Sequence, residues 1–282
     1  MEEDRERARA LVRDSGDQTV AHLIRSVFVD RGWDAERVEA RTRGTLEVPE
    51  VVGHELDGWL SKCASAPSGF LDVGCGPGGL LVAAARRGIQ GYGIEATMVW
   101  AVVARRAIAE AGGTPKVAAA FGEHLPMPDN AVGASVLLDV IEHVADPAKI
   151  LREVDRVTAP GGRIALATPN RFSLGAESHV GVWGVGWLPR RFQARYVQRR
   201  IGESYSVEPR SVTETRRLVR ENTSFAVKFS VPELPREHVE RFTTRRRVIG
   251  RVYNRVARFP VLRAPLLAVG PLFHATGAKV AN

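Results

Sequence analysis

The order of apolar segments predicts an α/β protein built on a buried sheet whose strands run mostly parallel. Three observations carry that expectation. From Phe70 onward, short apolar runs alternate with amphipathic helical stretches, the pattern of strands covered by helices on both faces. The first run opens FLDVGCGPGGL (Phe70–Leu80), where glycines at 74, 76, 78 and 79 and Pro77 turn the chain into a helix. The chain closes on helix, strand, helical insertion and strand, an order that places the final strand antiparallel at or near the sheet edge.

Residues 1–60 read as helical, with apolar positions three to four apart in QTVAHLIRSVF and VPEVVGHELDGWL. Pro67-Ser68-Gly69 ends that pattern. GFLDVG is then a strand and GGLLVAAARRG a helix that stops on Gly88. QGYGIE is a strand, and TMVWAVVARRAIAEAGG a helix with Thr97 as N-cap and Gly112 past its end. KVAAAF is a strand, followed by the loop GEHLPMPDN and the strand AVGASVLLD. DPAKILREVDRVT is a helix with Pro147 in its first turn, and GRIALAT a strand. The stretch 171–200 has two tryptophans, many glycines and no clear period. SVTETRRLVREN reads as a helix, FAVKFSVPEL as a strand, 236–270 as a basic helical insert and LFHATGAKV as the last strand. The expected organisation is an N-terminal helical cap, 1–66, and one domain, 67–282, with inserts at about 171–205 and 235–270.

Composition narrows the class. At 282 residues, 44% hydrophobic and 26% charged, the chain suits a globular α/β fold. No window approaches the roughly 18 uninterrupted apolar residues of a membrane span. The charged start, MEEDRERARALVRD, has no signal-peptide core. Cys63 and Cys75 are too few for a disulfide framework. The expectation is a cytoplasmic protein, with peripheral contact at the inner face of a membrane through 236–273. Charge is uneven: residues 1–150 carry 16 Lys/Arg against 22 Asp/Glu, and residues 151–282 carry 24 against 10. The second half can therefore meet an anionic surface or substrate.

The glycine turn is the natural ligand site, because open α/β sheets bind at the carboxyl ends of their strands. A phosphate-binding loop would need Lys-Ser/Thr after the glycines, and Leu80-Leu81 stand there. A dinucleotide turn, G-x-G-x-x-G with an acid about 20 residues on, is close to G-x-G-x-G-G with Glu95. Asp72 favours a different ligand. A carboxylate just before the turn suits positive charge and repels a pyrophosphate. S-adenosylmethionine (SAM) has a sulfonium, an ammonium and a ribose that Glu95 can hold through both hydroxyls.

LDVGCGPGG resembles the first motif of class I SAM-dependent methyltransferases. GIE, ending on Glu95, is similar to their second-strand acid. LDVIEHVADP and PGGRIALATPNR resemble the fourth- and fifth-strand motifs of the ubiquinone-type O-methyltransferases. The resemblance covers about Phe70 to Arg171. It implies a Rossmann-like seven-stranded sheet with an antiparallel last strand. It also implies a SAM site made of Asp72, Gly74, Cys75, Gly76, Gly78, Glu95, Ala96, Phe121, Gly122, Glu123 and Asp139. One departure stands out: relatives place an aspartate where this chain has Phe121, so an adenine contact falls to the Phe121 ring, Gly122 N–H or Glu123.

Methyl transfer needs an acceptor aligned with the S–CH3 bond and, for a hydroxyl, a group to take its proton. His143, after the fourth strand, is the leading base, with Glu142 and Asp139 beside it. The relatives have a similar E-x-x-E-H trio that binds a divalent ion. The resemblance thus implies that Asp139, Glu142 and His143 could hold Mg2+, Mn2+ or Zn2+. The competing reading gives Glu142 and His143 only a loop-capping role. Asn170, Arg171, His179, Trp183 and Tyr205 are candidate acceptor contacts, with Trp187 a further lid residue and His54 a weaker base. The functional expectation is an O-methyltransferase acting on a hydroxyl of a small or medium molecule: a sugar of a glycoside or glycolipid, a phenol, or a quinone-like lipid. An RNA methyltransferase and a non-catalytic SAM-binding scaffold are the alternatives, with nucleic acid ranked below small molecules.

Overall fold

A computed structural model describes residues 2–14, 19–30, 32–55, 68–234, 239–240 and 244–280. Cys63, Pro67 and the start of the basic insert lie outside the described residues, as does the side chain of His54. Seven strands form one sheet in the order β3-β2-β1-β4-β5-β7-β6. They are β1 (Phe70–Val73), β2 (Gly91–Glu95), β3 (Val117–Ala119), β4 (Val132–Leu138), β5 (Thr158–Pro169), β6 (Phe225–Ser230) and β7 (Leu272–Lys279). β1, β2 and β3 pair in parallel. β7 runs antiparallel to both β5 and β6. The last strand is thus antiparallel, as its sequence context predicts, and sits one place in from the edge. The chain divides into two compact units, Met1–Val136 with Val157–Ala159, and Leu137–Arg156 with Pro160–Asn282.

In the first unit every residue of β1 is buried, as a parallel strand covered on both faces requires. The helices are α1 (Glu2–Asp14), α2 (Val20–Val29), α3 (Ala35–Glu55), α4 (Gly79–Ala85) and α5 (Met98–Glu110). α1 and α2 pack on α5 through Ala8, Leu23, Ile24, Val27, Phe28, Val99 and Val103. Phe28 stacks on Trp33 and meets Trp100 edge-on. α3 crosses the start of α4 so closely that a Cβ on Gly79 would lie 2.5 Å from Val48 Cγ1. Thr97 occupies the N-cap position of α5, but its side chain makes no capping bond. Asp4, on α1, does that work: its Oδ2 accepts the Met98 N–H at 2.7 Å. A carboxylate there also complements the positive end of the helix dipole.

The second unit holds α6 (Pro147–Val157, shared at its last residue), α7 (Arg190–Ile201), α8 (Val212–Asn222), α9 (Thr244–Ala257) and α10 (Pro260–Val269). α7 has no apolar stripe in the sequence; it buries Gln193 and Val197 and ends on left-handed Gly202. α8 starts at a reciprocal Ser211–Glu214 capping box. β6 stops at Ser230, four residues short of the run that reads as strand, and Pro232 follows. The basic insert is helical over α9 and α10, as its pattern predicts. Among the described residues, no helix is long and apolar enough to cross a membrane.

Candidate active site

At the carboxyl ends of β1 and β2 the first unit builds a cradle. Gly74, Gly76 and Gly78 all have positive φ, 72°, 51° and 84°, a region open to glycine at no steric cost. The Gly74 and Cys75 N–H groups both donate to Ile94 O, at 2.7 and 3.0 Å, which ties the turn to β2. Glu95 closes it: Oε2 accepts the Gly76 N–H and Oε1 the Thr97 N–H, each at 2.8 Å. A Cβ built on Gly76 meets nothing within 4 Å. The turn's backbone therefore faces open space, with room for a ligand to lie against it.

Asp72 is 3% exposed and has no hydrogen-bond partner among the described residues. Burial, then the charge of Glu95, pushes its carboxyl up to about 7. Two acids buried side by side favour a positively charged ligand. Cys75 is also buried, and burial followed by the Asp72 and Glu95 charges pushes its thiol up. It is structural and unreactive in this setting. Ala96 is exposed after β2. Ala120 N–H donates to Glu95 O, so Phe121 follows directly beside the end of β2, 53% exposed, with Gly122 and Glu123 half-buried after it.

The second unit gathers a separate group of titratable side chains. β4 ends in Asp139, which has φ 52° and whose N–H donates to Ala167 O. Aspartate tolerates this left-handed geometry better than most residues. The bend turns 140–143 back, and the Arg210 guanidinium on Ile141 O and the Glu208 N–H on Glu142 O hold that segment. Glu142 is 1% exposed. Its Oε2 accepts from the Thr168 hydroxyl at 3.0 Å, and its Oε1 has no hydrogen-bond partner among the described residues. Burial first, then the Asp139 charge, pushes its carboxyl up to about 7. Asp139 keeps an exposed face; the surrounding protein raises its carboxyl, and the His179 charge pulls it back.

His143 and His179 face each other with Nε2 atoms 3.1 Å apart. His179 Nδ1 lies 2.7 Å from Glu177 Oε1, while Glu177 Oε2 accepts the N–H groups of His179 and Val180. For His179, burial favours the neutral ring. The Glu177 hydrogen bond and charge, with Glu142 and Asp139, outweigh it and raise its pKa. Burial and the His179 charge lower that of His143. One ligand atom each from Glu142, His143 and His179 fall within 4.8 Å of one another.

Other expected contacts have structural duties. Asn170 donates to Leu267 O and Ala268 O and accepts from Phe172 N–H. Arg171 bonds Gly186 O and pairs with Glu214 at 3.1 Å. Both line a small cavity, but their polar groups are committed to the protein. Trp183 and Trp187 are 63% and 49% exposed, with their indole N–H groups on Leu174 O and Ser173 O. The Tyr205 hydroxyl is buried without a hydrogen-bond partner among the described residues, and burial, then the Glu177 charge, raises its pKa. Glu177 is the residue that sequence reasoning missed. Its signal was the E-x-H spacing, which lets a carboxylate reach the Nδ1 of a ring two residues on.

Residues 71–166 match the family model described as Methyltransferase domain. An uncharacterized methyltransferase of Mycobacterium sp. (strain JLS) is 37% identical over 150 residues, covering 52% of this chain and 58% of the relative. The ubiquinone biosynthesis O-methyltransferase of Pseudomonas paraeruginosa (strain DSM 24068 / PA7) is 36% identical over 118 residues, covering 40% and 50%. The chain spans between half and three fifths of the length of these curated relatives. Geranyl diphosphate C-methyltransferase from Streptomyces coelicolor A3(2), solved with Mg2+, geranyl diphosphate and S-adenosyl-L-homocysteine, is similar in fold. Its TM-score is 0.51 at 18% identity, covering 79% of this chain and 78% of that one. Residues 71–166 are thus similar to a methyltransferase domain, and the sheet that carries them has the Rossmann-like fold of solved methyltransferases.

Proposed function

We propose that this protein is a SAM-dependent methyltransferase whose acceptor is a hydroxyl of a small or lipid-like molecule. The observation that carries the reading is Asp72, a carboxyl buried behind an open glycine turn. Bound there, SAM would supply an electrophilic methyl group on a sulfonium. Asp72 would hold the ammonium of its methionine part. Each Glu95 oxygen accepts one backbone N–H and keeps a second lone pair for a ribose hydroxyl. Gly74, Cys75, Gly76 and Gly78 would lie along the methionine and ribose, and Ala96, Phe121, Gly122 and Glu123 at the adenine end. Glu142, His143 and His179, with Asp139 at their edge, would orient the acceptor hydroxyl and draw off its proton. Trp183 and Tyr205 would flank the acceptor, and Asn170 and Arg171 would fix the loop that carries it.

In this reading 1–66 is a helical cap on the domain 67–282. The inserts at about 171–205 and 235–270 choose the acceptor. The second insert presents Val248, Ile249, Val252, Phe259 and Val261, all at least 55% exposed, on an arginine-rich stretch. That combination suits docking at an anionic lipid surface, where a lipid-like acceptor would be met. Titration calorimetry tests the class: SAM should bind one site per chain, and NAD should not bind. NAD binding without a response to SAM would overturn it. Replacing 236–263 with a short linker should leave SAM binding nearly intact and abolish sedimentation with anionic vesicles. Salt-sensitive RNA binding with no vesicle binding would favour the nucleic-acid reading instead.

A further inference from the structure

The resemblance to ubiquinone-type enzymes implies a divalent ion on Asp139, Glu142 and His143. The structure assembles a different set. His143 Nε2 and His179 Nε2 stand 3.1 Å apart, the separation of two nitrogens each about 2.1 Å from one metal at a near-right angle. The third member is Glu142. Two further observations point to a cation. Glu142 Oε1 is buried with no hydrogen-bond partner among the described residues, on a residue 1% exposed. Glu177 holds His179 Nδ1 at 2.7 Å, which leaves Nε2 as the coordinating atom; carboxylate–histidine–metal chains fix a ring in this way.

We propose that Glu142, His143 and His179 bind one divalent transition-metal ion, with Glu177 as the positioning residue behind His179 and Asp139 outside the ligand set. The proposal deepens the reading of this group as the acceptor-activating site. Two imidazoles and one carboxylate select a borderline metal of the zinc class. Mg2+ prefers oxygen ligands and its own waters. The three ligand atoms lie within 4.8 Å of one another, so a carboxylate shift of about 1.5 Å would complete a tetrahedral set with ligand distances of about 2.1 Å. His143 is exposed, which leaves a side of the group open to an incoming oxygen. An ion there would make a bound hydroxyl more acidic.

The test uses the full chain stripped with chelator. Co2+ should give visible d–d absorption and Zn2+ should titrate at one per chain, while millimolar Mg2+ should neither bind nor compete. Glu142→Gln and His179→Ala should each weaken Co2+ binding at least about 100-fold, and Glu177→Gln about 10–100-fold. Asp139→Asn should leave it within about threefold. Melting curves and SAM titrations on the same variants report folding and the cofactor site separately. A metal-binding protein that ignores SAM would sink the methyltransferase reading alone. A SAM-binding protein without Co2+ or Zn2+ binding would sink the metal site alone. Metal binding that survives His179→Ala and is lost in Asp139→Asn would also overturn the proposal.

Discussion

Asp72 and Glu142 pose the same physical problem in different surroundings. Each is a carboxyl almost fully buried, and each is pushed up to about 7 chiefly by that burial. Asp72 has a second acid, Glu95, as its main charged neighbour. Glu142 has the Thr168 hydroxyl on one oxygen and an imidazole pair in reach of the group. The difference lies in what each can accept. Asp72 stands behind a backbone turn with open space in front and suits an organic cation that arrives and leaves. Glu142 stands among fixed nitrogen ligands and suits an ion that side chains can surround.

The largest expected effect separates the two regions. A Cβ at Gly76 meets nothing within 4 Å beyond its chain neighbours, so Gly76→Val places its side chain in the open space before the turn. It should abolish measurable SAM binding, at least a 100-fold loss, while Co2+ binding at the second site stays normal. Retained SAM affinity would show that the turn is not the cofactor site. The valine also enters a left-handed position, at a stability cost of about 1–2 kcal/mol.

A smaller effect comes from Asp72 through pH. Its folded value of about 7 lies above the ordinary 3.8, so between these values the folded protein keeps a proton that the unfolded chain has lost. Ligand-free stability should therefore fall as pH rises through that window, by roughly 1.4 kcal/mol per unit for a fully shifted group, and level off above it. SAM should act in the opposite sense, because its ammonium favours the ionised carboxylate. Affinity should weaken roughly tenfold per pH unit below about 7, with proton release on binding. Calorimetry in buffers of different ionisation heat would detect that proton. An Asp72→Asn variant should bind SAM weakly at every pH, and a flat wild-type profile would contradict the role given to Asp72.

The smallest effect probes Glu142. Thr168→Val removes its one side-chain donor and should cost about 1–2 kcal/mol, the scale of a lost buried hydrogen bond. Chemical denaturation would measure it. SAM affinity should not change. A loss near zero would mean that the Glu142 carboxyl is satisfied in another way.

Local patterns made the first of these regions readable from sequence. A buried strand, a run of glycines and an acid at the end of the next strand are contiguous signals, and each follows from backbone geometry. The second region was half visible. Glu142 and His143 stood out after β4, and His179 was noted alone, 36 residues away in a stretch without period. Only folding brings the two imidazoles together, and Glu177 gains its meaning from that meeting. α7 was missed for a related reason: its helix is held by a buried glutamine, a valine and a glycine stop instead of an apolar stripe. Thr97 stands at the N-cap of α5, as its sequence predicts, but the side chain that accepts the Met98 N–H belongs to Asp4, a residue 93 positions earlier than Thr97, which no local rule could supply.

That bond between Asp4 and the start of α5 also sets an order of events during synthesis. The apolar faces of α1 and α2 are made well before α5, their packing partner. At about 5–20 residues per second, roughly 5–20 s pass between the end of α1 and the end of α5. For that interval Ala8, Leu23, Ile24 and Phe28 have no Val99 or Val103 to cover them. The apolar faces of α1 and α2 thus stay uncovered until the second strand and its helix have emerged.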